Sequence, residues 1–148
     1  TIFVMTPTLN EVNETAIKPY KDGKITQKQA MEMGIKPFKS FMLKLTRDKD
    51  LALFLEFSHL KEVKDYENVP IFVLIPAFVI SELKTAFQIA FLLFIPFIVI
   101  DLIVANILLS LGMFMLSPAM ISLPFKILLF VLTDGWSLII QGLLLSFR

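Results

Sequence analysis

The chain has 148 residues, 56% of them apolar, a net charge of +1, no cysteine and one histidine. So even a charge balance offers no basic face for nucleic acid, the missing cysteines exclude disulfides and thiol chemistry, and a lone histidine argues against the usual zinc sites. The apolar excess over the ~45–50% of an ordinary soluble domain is local: residues 1–68 carry 21 of the 27 charged side chains and residues 69–148 carry six.

A chain of this length would ordinarily be one domain, but the composition divides it into a polar part, 1–68, and an apolar part, 69–148. It opens on Thr rather than Met, which reads as a processed or truncated chain. The opening TIFVMTPTL has neither the basic nor the apolar region of a signal peptide. Thr1–Met5 reads as the last turn of an earlier helix. Thr6-Pro7 then predicts a helix start, since proline tolerates the first helical position. Leu9, Val12, Ala16 and Ile17 recur at helical spacing until Pro19 ends the pattern, and Asp22-Gly23 marks a turn.

Thr26 and Gln29 have capping-box spacing, predicting a short helix to Gly34. Pro37 opens the next segment, with Phe38, Phe41, Met42 and Leu45 on one face. Asp48 and Asp50 favour the start of a further helix, where carboxylates meet the positive end of the dipole. That helix turns Leu51, Phe54 and Leu55 inward and ends near His59, read as a surface residue. Lys61–Asn68 is a charged, solvated linker closed by Pro70.

From Val69 the character changes. IFVLIPAFVI precedes a polar step at Ser81–Lys84, and Pro76 either begins or kinks a helix there. No ionisable residue occurs from Thr85 to Ile100, nor from Leu102 to Phe125. Apolar runs of this length read as membrane helices, because ~20 residues at 1.5 Å each cross a ~30 Å hydrocarbon core. The polar stripe of a soluble surface helix is missing. One helix is predicted over Thr85–Leu111, interrupted by Pro96 and ended by Gly112. Another is predicted over Leu123–Phe147, started by Pro124. A joint at Met113–Leu123 makes them an antiparallel hairpin. The fold class expected is all-α, with membrane-associated hairpins of Pro-broken apolar helices and a polar helical N-terminal unit.

The isolated charges carry the functional expectations. An ion inside a membrane segment costs at least ~2.5–3.5 kcal/mol unless it is paired or faces water. Measured from a turn near Gly112–Pro118, Asp101 and Lys126 lie at depths of about 16 and 12 Å, within reach of a lysine stem. They are expected to pair; a proton relay through Asp101 is the alternative. Glu82 and Lys84 stand two apart and do not face each other on a helix, so partners on other subunits are expected for both. Asp134-Gly135 is a second polar interruption, facing protein or water.

Met113, Phe114 and Met115 occupy the hairpin tip. Unbranched methionines can close around an irregular object and then yield, or simply fill a core. Nothing supports an enzyme: the five glycines are scattered, with no phosphate loop, and neither a GxSxG nor a His-containing triad can be assembled. No cofactor and no metal are expected.

The segments SELKTAFQIAF, IPFIVIDLIVANILLSLGMFML and SPAMISLPFKILLFVLTDGW, with TIFVMTPTLNEVNETAIKPY and FMLKLTRDKDLALF before them, resemble the FliP family. The likeness is long and ungapped, and combinations such as ISLPFK and TDGW are uncommon. It implies a subunit of the export gate in the bacterial flagellar apparatus, with relatives in virulence secretion. It further implies a homo-pentamer assembled with two smaller export-gate proteins, unfolded protein substrates in transit, and an inner-membrane site at the basal body. The polar part would be periplasmic. Family members carry a run of methionines where Met113–Met115 lie, which implies a gasket around the export pore; Phe114 departs from that run and stiffens it. A small-molecule or ion transporter using Asp101 is the competing expectation, although the internal repeats common in transporters are missing. A soluble helical interaction protein ranks third.

Overall fold

A computed structural model describes residues 2–58 and 69–147. Every regular element among them is helical: α1 (Ile2–Val12), a π-helical turn (Asn13–Ile17), α2 (Lys18–Lys21), α3 (Gln27–Leu45), α4 (Asp48–Phe57), α5 (Ile71–Ser110), α6 (Pro118–Leu132) and α7 (Gly135–Leu145). The chain forms two compact units, Thr1–Lys84 and Thr85–Arg148. Composition changes at Val69, whereas packing divides the chain later, because Val69, Val73, Leu74 and Ala77 form a core with Leu51. His59 and the linker 61–68 lie outside the described residues.

In the first unit the expected helix start at Thr6-Pro7 does not occur; α1 runs through Pro7. Proline's φ suits a helix, and its ring removes one backbone bond without dictating a stop. The Thr6 hydroxyl donates to the Ile2 carbonyl at 2.7 Å, one turn back. Pro19 likewise stops nothing: it occupies the first turn of α2, where no N–H is required. The turn comes at Asp22-Gly23, as expected, with Gly23 at φ 69°.

The capping box forms. The Thr26 amide donates to Gln29 Oε1 at 2.9 Å, and the Gln29 amide donates to Thr26 Oγ1 at 3.4 Å. The helix it opens is longer than expected, continuing through Gly34 and Pro37 to Leu45. Gly34 does not end it: a Cβ there would meet Ala16 Cβ at 3.5 Å and Val12 Cγ1 at 3.8 Å, ordinary packing distances. Pro37 is buried. On α4, Leu51 is buried and Phe54 and Leu55 pack on the same core, the inward set the spacing predicted.

The apolar helix begins at Ile71, not Thr85, and is unbroken for 40 residues across Pro76 and Pro96. At 1.5 Å per residue it is about 60 Å long, twice the ~30 Å of a hydrocarbon core. Only 11% of its most apolar 18-residue stretch is buried. A core helix of a soluble protein would be mostly covered by its own chain; this one is not.

Gly112 ends α5 as expected, at φ 72°. The Met113 amide bonds the Leu108 carbonyl at 2.9 Å and the Gly112 amide bonds Leu109 at 3.1 Å. These are the paired bonds of a Schellman stop, which needs a residue in the left-handed region. The final helix differs from expectation at both ends. It starts at Pro118, in the first turn, and carries Pro124 inside it. It also breaks after Leu132, so that α6 and α7 are bent by 62° and do not form one rod over Leu123–Phe147. Asp134 adopts φ 48°, the left-handed region. Gly135 is buried, and the position a Cβ would take overlaps the Phe130 ring. Phe130 and Trp136 stack edge to face at 5.3 Å across the break.

Candidate functional site

The second unit places Asp101 of α5 against Lys126 of α6. Lys126 Nζ donates to Asp101 Oδ2 at 2.7 Å, and Ser122 Oγ donates to Asp101 Oδ1. The lysine side chain is 23% exposed and the aspartate 37%, while Ser122 is fully buried. Ser122 and Lys126 are four apart, so one face of α6 presents both donors to one carboxylate. Both aspartate oxygens are therefore engaged by charge-assisted bonds, the stronger class. Beside the pair, Phe94, Phe97, Lys126, Ile127 and Phe130 line a shallow, largely apolar cleft of about 300 Å³.

The tip lies between α5 and α6. Met113, Phe114 and Met115 are 43%, 76% and 98% exposed, so their own chain leaves Phe114 and Met115 largely bare. The Schellman stop fixes where the tip begins, and Pro118 fixes where it ends.

Lys84, for which the spacing suggested a partner on another subunit, pairs within its own chain with Asp50. Ser81 Oγ donates to Asp50 Oδ2 at 2.9 Å and accepts from the Arg47 amide at 3.0 Å. Glu82, two residues away and on another face, is half-buried and within electrostatic reach of Arg47. Asp134 is exposed at the α6–α7 break.

Reading the isolated charges located Asp101, Lys126 and Lys84 but passed over Ser122, Ser81 and Asp50. A signal was present: each serine precedes a lysine of an apolar helix by three or four residues, on the same face. Asp50 gave none, since its place in the first turn of α4 has an ordinary explanation in the helix dipole. Among the described residues no group of three or more His, Asp or Glu is placed to hold a metal ion.

Residues 1–143 match the model of the FliP family. The chain is 53% identical over 147 residues to the flagellar biosynthetic protein FliP of Bacillus subtilis, covering 99% of this chain and 66% of that protein. It is 53% identical over 147 residues to the FliP of Pectobacterium carotovorum, covering 99% and 57%. Against the FliP of Aquifex aeolicus it is 45% identical over 150 residues, covering 100% and 63%. The chain thus spans about three-fifths of the length of these relatives.

Proposed function

The chain belongs to the FliP family, and from that membership we propose that it is a subunit of the flagellar export gate in the bacterial inner membrane. Several copies, in the pentamer the family resemblance implies, build with other export-gate proteins a channel for unfolded flagellar proteins. The observation that carries this reading is the match across residues 1–143 to proteins named for flagellar biosynthesis. The uncovered apolar face of α5 supports it, since lipid or neighbouring copies must take up what the chain leaves bare.

Within this reading the polar residues 1–68 lie on the periplasmic side. Asp101, Ser122 and Lys126 lock α6 to α5, and Met113, Phe114 and Met115 from several copies converge as an apolar constriction. Such a ring resists ions by dewetting, so it closes without a rigid plug and yields to a passing chain. The work assigned is structural and conductive, with no catalytic step. A transporter coupled through Asp101 would need a carboxylate free to exchange its proton, and two donors hold this one.

The test is replacement of the matching region of the Bacillus subtilis relative by this chain, followed by measurement of flagellar protein secreted into the medium. Restored secretion is expected. A hybrid present in the membrane at normal level that secretes nothing would contradict the proposal.

A further inference from the structure

Asp50 stands apart from the other acidic residues of the first unit. Its side chain is 3% exposed, yet the lysine that neutralises it is 52% exposed. Both its oxygens are taken by donors of α5, Ser81 and Lys84, which lie three apart on one helix face. It also immediately precedes Leu51, the one α4 residue buried in the core with Val69, Val73, Leu74 and Ala77. The other charged group acting on it is Arg47, just before α4, which also lies within reach of Glu82 on α5.

The two ends of this ion pair are unequal. An ammonium half in water loses little when its partner goes, because water solvates it in place. A carboxylate enclosed on all sides cannot be rehydrated without moving the helix that carries it. We propose that Asp50 and Lys84 form a charge-operated latch that docks α4 on α5, in which Lys84 is the releasing side: loss of the lysine charge frees α4, whereas neutralising both residues leaves it docked. Ser81 makes the latch directional. Its hydroxyl donates its proton to Asp50 and accepts from the Arg47 amide, so the start of α4 and its third residue are held to one point of α5. The accessible lysine gives a neighbouring protein a means of release, since any acidic group that draws Lys84 away leaves Asp50 uncompensated.

Hydrogen exchange over residues 48–57, in the full chain assembled in its complex, reads the docking directly. Lys84→Gln is expected to speed exchange at neutral pH by about tenfold or more, while Asp50→Asn changes it little. The double variant Asp50→Asn/Lys84→Gln should return close to the unsubstituted chain, and Lys84→Arg should stay protected. A merely local loss of packing would not produce rescue by the second substitution. The proposal is overturned if Lys84→Gln leaves exchange unchanged, or if the double variant opens as much as Lys84→Gln alone.

Discussion

The two units solve the same problem with the same three residue types and distribute the burial oppositely. In the first, Asp50 of α4 meets Ser81 and Lys84 of α5; in the second, Asp101 of α5 meets Ser122 and Lys126 of α6. In the first the carboxylate is enclosed and the lysine reaches into water. In the second it is the lysine and serine that are more covered and the carboxylate that is more open. The difference follows from the surroundings. The polar unit supplies its own core beneath α4, so a charge can be sunk there and steadied from outside. The apolar unit has little core of its own, and its pair stays partly open.

The largest effect is expected at that partly open pair. Asp101→Ala and Lys126→Ala should each lower the yield of assembled complex from membranes roughly tenfold, and the double change should lower it less than the two combined. Strictly multiplicative losses would mean that the two residues act separately. Next comes the break that the first unit lacks. Gly135→Ala drives a methyl group into the Phe130 ring and should destabilise the complex by ~1–3 kcal/mol in thermal unfolding in detergent, with Phe130→Leu recovering part of it. An unchanged midpoint would show that the α6–α7 bend tolerates a side chain.

The acid response separates the first unit further. The Lys84 hydrogen bond holds Asp50 below its ordinary value of 3.8, against the opposing effect of burial and with help from Ser81 and Arg47. A carboxyl group lowered in the folded state contributes stability that is fully present above its ordinary value and is lost as pH falls through the folded one. Protection of α4 should therefore hold through mild acid and fall below about pH 4 only by the small amount that Asp50→Asn lowers it, well short of the opening by Lys84→Gln. Opening already near pH 6 would assign control to another group. The smallest effect is expected at the Thr26 cap, away from both aspartates. Thr26→Ala should cost ~1 kcal/mol and leave the exchange of residues 48–57 unaltered.

Sequence carried the large features because they rest on composition and local chemistry. The all-helical class, the long uncharged runs, the Thr26 capping box and the stop at Gly112 all follow from residues acting within a turn or two. The helix boundaries were less legible wherever a proline stood. Pro7, Pro37, Pro76, Pro96 and Pro124 each suggested a start, a kink or an interruption, and each lies inside a continuous helix. The loss of one backbone bond is a local cost that packing and apolar length override. The break at Asp134 was visible only as a polar interruption, because the residue that takes the left-handed conformation there is the aspartate and not the glycine beside it. Asp50 was hidden for a different reason: its partners are more than thirty residues away.

Small-ion conductance of reconstituted complexes tests most directly whether the exposed tip between α5 and α6 is the seal of an export channel. Replacing Met113, Phe114 and Met115 together by Ala should leave assembly largely intact and let ions leak through the closed complex. A silent baseline in a variant that still assembles would contradict the account and return these three residues to ordinary packing.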